Sequence, residues 1–229
     1  MNDRCAWREQ LLQGHWFRQL SPALQDSLLD AARPRALAAG ERLFQRGDAP
    51  CGLYAVLAGA VRIGAVNAGG KEALLTLIEP PHWFGEICLF DGQPRTHDAF
   101  AEGPTTLLRV PQATLLSLLD QQPAYWREFA LLMSHKLRLA FVALEQQSLM
   151  GAAPRLAYRL LQMAAGYGEV DGERRVLQLS QEQLALMLSL SRQTTNQILK
   201  ALEQDGAVRL SYGEIEILDP GRLERLAGK

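Results

Sequence analysis

From Ala124 to Met150 the chain runs without a glycine or a proline. Within that stretch Trp126, Ala130, Met133, Leu137, Ala140 and Leu144 recur in alternating steps of four and three. This spacing predicts one long helix with a narrow apolar seam, the pattern of a two-helix contact rather than of a broad face laid on a core. Roughly 26 residues at ~1.5 Å each span about 40 Å, more than one small sandwich can cover. The seam is therefore expected to meet a second copy of itself in a homodimer. The plainer possibility is that both faces lie on the chain's own domains.

The flanks of this helix differ in texture. Residues 5–32 read as helical, with Leu11, Leu12, Trp16 and Phe17 in one apolar group and Ser21-Pro22 as the N-cap and first turn of a helix carrying Leu24, Leu28 and Leu29. Residues 35–110 hold short β-like runs between turn signals, among them Gly47-Asp48-Ala49-Pro50, Gly59 and Asn67-Ala68-Gly69-Gly70. That punctuation predicts an antiparallel sandwich or barrel. Pro111 opens a short helix before the long one. After it, Gly151-Ala152-Ala153-Pro154 reads as a hinge, followed by a helix over 155–165 and a strand near 174–179. Ser180-Gln181-Glu182-Gln183 is a capping box, Ser191 caps a second helix reaching about residue 204, and 208–217 reads as a hairpin. The expected organisation is α+β, with domains at 1–122 and 151–229 joined by the dimerisation helix 123–150.

The chemistry concentrates at residues 82–96. Gly85 leads into one helical turn over 87–90, whose first N–H groups would favour an anion. Arg95 returns after the turn at Asp91-Gly92 with a planar donor fork suited to phosphate oxygens. Glu86 repels phosphate but suits a hydroxyl donor. Together they describe a sugar phosphate; the bland reading is a β-turn with a surface ion pair. Phe84-Gly85-Glu86-Ile87-Cys88-Leu89, followed by Pro94-Arg95-Thr96, resembles the phosphate-binding cassette of cyclic-nucleotide-binding domains. The resemblance implies a jelly roll in which Gly85 and the amides of Ile87 and Cys88 hold the cyclic phosphate, Arg95 pairs with it, Glu86 takes the ribose 2′-hydroxyl and Thr96 lies near the phosphate and base. His97 and Asp98 stand where that family usually has small or apolar residues. Aligned on Pro154-Arg155-Leu156-Ala157, Ala140 and Phe141 fall where the catabolite activator presents hydroxyl side chains to adenine. The base is therefore open among cyclic AMP, cyclic GMP and a cyclic dinucleotide; cyclic AMP or cyclic GMP is the expected effector, and Phe141 the expected relay to the C-terminal domain.

The two short helices and hairpin resemble a winged helix-turn-helix. Ser180, Gln181, Ser191, Arg192, Gln193, Thr195, Asn196 and Gln197 are the expected DNA contacts, since Arg matches guanine, Gln and Asn match adenine, and a Thr methyl can touch thymine. The alternative is a polar, solvated helix face. Residues 190–203 resemble the recognition helix of the catabolite-activator and fumarate–nitrate regulator (Crp/Fnr) family. That resemblance puts the base readers at Arg192, Gln193 and Gln197. It implies a homodimer on palindromic double-stranded DNA, acting with RNA polymerase.

Composition narrows the rest. A net charge of −1 gives no global attraction to nucleic acid or membrane, so DNA binding must come from a local patch. Three cysteines without a CxxC pair suit a reducing cytoplasm and no metal. No membrane span or leader peptide is expected. No nucleophile elbow, metal-ligand pair or P-loop points to an enzyme. A haem or redox sensor with a vestigial cassette is the alternative regulator, with His15, His82, His97, His135 and the cysteines as its candidate ligands. On sequence grounds Arg95→Ala is expected to abolish nucleotide binding and leave the fold intact.

Overall fold

The computed structural model describes residues 3–67, 69, 70 and 72–228. The chain divides into two compact units, Met1–Lys71 with Leu75–Leu137, and Glu72–Leu74 with Arg138–Lys229.

The first unit opens with helices α1 (Asp3–Leu11), α2 (His15–Gln19) and α3 (Pro22–Ala31). As expected, Ser21 caps α3, its hydroxyl accepting from the Leu24 amide at 3.3 Å. Strands β1 (Arg33–Leu37), β2 (Arg42–Phe44), β3 (Gly52–Ala58), β4 (Val61–Val66), β5 (Glu72–Ile78) and β6 (Trp83–Phe84) follow, then the short helix α4 (Ile87–Asp91) and strands β7 (Asp98–Ala101) and β8 (Thr105–Pro111). Helix α5 (Gln112–Gln121) and a 3₁₀ turn at Pro123–Tyr125 lead into α6 (Trp126–Leu149). Of the turn expected at residues 67–70, Ala68 lies outside the described residues; the Gly69 amide donates to Asn67 Oδ1 at 3.0 Å.

The strands form two four-stranded sheets, ordered β1-β8-β3-β6 and β2-β7-β4-β5. The pairings of β8 with β1 and β3, β3 with β6, and β7 with β2 and β4 are antiparallel. Strand β3 explains why its sequence is an unbroken apolar run rather than an alternating one. Six of its seven residues are buried because both of its faces are covered. Leu53, Ala55 and Leu57 join a core with the helices, whereas Tyr54 and Val56 join a second core with Phe44, Phe84 and Leu107. Strand β6 repeats this division in two residues. Trp83 turns to the helical layer, where its ring stacks on Phe17 at 5.6 Å and meets Trp16 edge-on at 5.5 Å; Phe84 turns inward and stacks on Tyr54 at 5.4 Å.

Helix α6 departs from its expectation at one end. Trp126 was expected on the seam, but it is half-buried, its ring 5.3 Å from that of Phe90. The face that meets the core carries Phe129 and Leu132, which are buried with Trp83 and Trp16. Leu137, Phe141 and Leu144 remain 51%, 61% and 63% exposed.

In the second unit α7 (Ala152–Ala164) begins directly after its N-cap Gly151, so three of the four residues read as a hinge are helical. Pro154 sits in the first helical turn, where its missing N–H has no intrahelical partner to lose. Strand β9 (Val176–Gln178), helices α8 (Gln181–Leu188) and α9 (Arg192–Gln204), and strands β10 (Val208–Ser211) and β11 (Glu214–Ile217) follow, with sheet order β10-β11-β9. The capping box forms as expected: the Gln183 amide donates to Ser180 Oγ at 3.2 Å and the Ser180 amide to Gln183 Oε1 at 2.8 Å. A last helix, α10 (Pro220–Ala227), was not foreseen. Its signal is present in Asp219-Pro220, where the Asp219 carboxylate accepts from the Arg222 amide at 3.2 Å.

Candidate functional site

Gly85 follows β6 with φ +98, a conformation that side chains other than glycine's rarely adopt. A Cβ there would also stand 2.9 Å from both Arg95 Nη1 and the Gly52 carbonyl oxygen. Conformation and space thus both require glycine at the start of the cassette. The expected turn is α4, closed by Gly92 in the left-handed region, and the Gln112 amide group ties it down by donating to the Cys88 carbonyl at 2.9 Å. The Cys88 side chain is buried, and burial pushes its thiol pKa up.

Arg95 is only 4% exposed. Its guanidinium lies 4.5 Å from the centre of the Phe44 ring and 5.8 Å from that of Tyr54. Nη1 donates to the Gly85 carbonyl at 3.0 Å, and Nη2 donates to the Gly52 carbonyl at 2.5 Å and to Cys51 Sγ at 3.1 Å. The Tyr54 hydroxyl donates to the same sulfur at 3.1 Å, and burial, then Cys51, raises the phenol pKa. Arg95 Nε is buried without a partner. The acceptors around this cation are two backbone carbonyls and a cysteine sulfur, and among the described residues no carboxylate pairs with it.

Glu86 is 2% exposed, and sequence reasoning missed its partner. Lys136 Nζ donates to Glu86 Oε2 and to the Trp83 carbonyl, each at 2.7 Å. Lys136 follows Leu132 by four residues and Phe129 by seven, so it shares their buried face. A lysine on an apolar helical face was the available signal; the seam pattern drew attention to the other side. Thr96 is exposed, its Oγ1 2.9 Å from His97 Nδ1. Burial, reinforced by Arg46 and opposed by Asp98, lowers the His97 pKa. Ala140 and Phe141 are exposed residues of α6 and belong to the second unit.

In that unit, Arg192, Gln193 and Gln197 project into solvent from α9. Arg192 forms an ion pair with Glu182 of α8, and Asn196 Nδ2 donates to Gln181 Oε1 at 2.8 Å. Ser180 and Ser191 use their hydroxyls as helix caps, the Thr194 amide donating to Ser191 Oγ at 3.0 Å. Thr195 corrects the sequence reading. It is fully buried on the side of α9 that carries Leu199 and Leu202, so its methyl is not available to a base. The wing is fixed to this helix, because the Leu210 amide donates to the Glu203 carboxylate at 2.8 Å.

Comparison with known proteins agrees with this division of labour. The cyclic nucleotide-binding domain family matches residues 34–122, and the Crp-like helix-turn-helix domain family matches residues 154–226. The Cyclic AMP receptor protein of Thermus thermophilus is 32% identical over 92% of this chain and 95% of its own length. The chain belongs to the Crp/Fnr family of transcriptional regulators. The CRP-like cAMP-activated global transcriptional regulator of Mycobacterium tuberculosis is 29% identical, again over 92% of this chain and 95% of its own. The solved Thermus thermophilus Catabolite Activator Protein covers 93% of the regulator with a TM-score of 0.52. Family membership makes the protein a DNA-binding regulator with a cyclic nucleotide-binding domain, and not an enzyme. None of its described helices is long and apolar enough to cross a membrane.

Proposed function

We propose that the regulator is a cytoplasmic homodimer that binds palindromic double-stranded DNA under the control of a cyclic nucleotide held by Gly85, Glu86, Ile87, Cys88, Arg95 and Thr96, and acts on RNA polymerase. The observation that carries this reading is the state of Arg95. A buried guanidinium with no carboxylate partner and one idle N–H is expensive unless an anion joins it, and a cyclic phosphate supplies one charge and the missing acceptor. Glu86 suits a ribose hydroxyl, and Lys136 keeps its bond to the Trp83 carbonyl whether or not it shares that carboxylate. Cyclic AMP is favoured over cyclic GMP because the Thermus and Mycobacterium relatives carry cyclic AMP in their names. Titration calorimetry of the full chain should show saturable heat with cyclic AMP and a weaker response to cyclic GMP. No heat from either would remove the effector assignment.

The exposed leucines of α6 support the homodimer. Leu137→Glu would place two like charges across a packed seam, where desolvation penalises both. Sedimentation of this variant should show monomers where the parent sediments as a dimer; a variant that stays dimeric would put the interface elsewhere.

A further inference from the structure

The outward face of α9 carries Arg192, Gln193, Asn196, Gln197 and Lys200, opposite the buried Thr195, Leu199 and Leu202. Asn196 differs from the others in being half-buried and already held. Its Nδ2 donates at 2.8 Å to Oε1 of Gln181, in the first turn of α8. Each carboxamide has one acceptor oxygen and one donor nitrogen. The bond takes one of the two N–H groups of Asn196 and one of the two lone pairs of Gln181, so the atoms it leaves untouched are the Asn196 oxygen, an acceptor, and the Gln181 nitrogen, a donor. Turning both amides over reverses which residue does which, but still leaves one acceptor and one donor.

That pattern selects among the bases. In the major groove adenine offers its N6 amino donor beside the N7 acceptor, guanine offers two acceptors, cytosine one donor, and thymine an acceptor beside a methyl group. Adenine meets the two untouched atoms, acceptor with donor, whereas guanine would set one of its acceptors against the Asn196 oxygen. We infer that Asn196 and Gln181 read one adenine in each half-site as a single element built from two helices. The inference rests on the proposed DNA-binding function, with α9 in the major groove. It differs from ordinary reading by one asparagine, which would use both ends of that side chain and leave Gln181 without influence on the base. Here the bond to Gln181 fixes Asn196 before DNA arrives, so less side-chain freedom is lost on binding.

The test is selection of binding sites by the full chain from a randomised palindromic library, without nucleotide and with cyclic AMP or cyclic GMP. Fluorescence anisotropy then compares the selected site with its single adenine-to-guanine changes. The parent should prefer adenine at one symmetric position by about 5- to 150-fold, the range of one good bidentate contact. Asn196→Ala and Gln181→Ala should each flatten the preference at that same position and leave the other positions unchanged, and the double variant should go no further. If an alanine variant fails to fold, Gln181→Met and Asn196→Leu keep the volume without the polar head and give the same comparison. Gln181 variants that retain the adenine preference would overturn the inference, as would two variants acting at different positions or a parent with no fixed adenine. A parent that selects no site under any condition would instead remove the DNA-binding reading on which this one stands.

Discussion

Arg95→Ala is expected to lower the melting temperature by on the order of 10 °C and to abolish nucleotide binding. The first half of this result reverses what the sequence alone suggests, an intact fold. In the structure the guanidinium bonds to the Gly85 and Gly52 carbonyls and lies over the Phe44 ring. Each buried carbonyl stripped of its donor costs roughly 1–3 kcal/mol, and the lost ring contact adds up to about 2 kcal/mol. Removing a buried cation that has no carboxylate partner returns part of this. A net loss of about 3 kcal/mol corresponds to roughly 6–12 °C in a chain of this size. Binding should fall at least tenfold, since a charge-assisted hydrogen bond is worth roughly 1.5–3 kcal/mol. Arg95→Lys should recover part of the stability but not the affinity, because an ammonium lacks the planar fork. Calorimetric melting and nucleotide titration read the two effects separately. An unchanged melting temperature would contradict the structural role, and undiminished affinity the phosphate role.

Lys136→Met should destabilise the first unit by a comparable amount. It leaves the Glu86 carboxylate, 2% exposed, without its cation. Breaking a buried pair costs roughly 3–5 kcal/mol; the lysine side chain is 31% exposed, which moves the expectation toward the lower end because water screens the pair. The double variant Glu86→Gln with Lys136→Met should regain most of the loss, since no buried charge is then left alone. Denaturant unfolding of the two single variants and the double gives the coupling. Additive losses would mean that the 2.7 Å contact contributes nothing of its own.

The parts of the molecule that were legible in the sequence are those governed by local rules. Ser21, Ser180 and Ser191 cap helices because a hydroxyl before a helical run has one nearby use. Glycine and proline likewise mark the turns between strands. What escaped depends on contacts distant in sequence. Lys136 meets Glu86 across 50 residues, and the bond between Asn196 and Gln181 exists only once α8 and α9 have packed. Thr195 shows the opposite error: its residue type suits a base, but its angular position on α9 faces the core. Leu137 and Leu144 of the apolar repeat are exposed, whereas Trp126 turns to Phe90, a partner that the repeat cannot reveal.

The divided faces of β3 and β6 have a consequence for how such a chain can vary over time. Tyr54 and Phe84 face one core while Leu53 and Trp83 face the other, and the ring of Tyr54 lies beside Arg95. Side-chain direction alternates with every residue of a strand. A codon lost from or gained in β3 would therefore exchange the two cores and turn Tyr54 away from the guanidinium, whereas replacing one apolar side chain by another would leave the alternation intact. Lineages descending from this sequence are free to drift in composition along β3 and β6 but are held to their length, and accepted insertions should collect in the connections between strands.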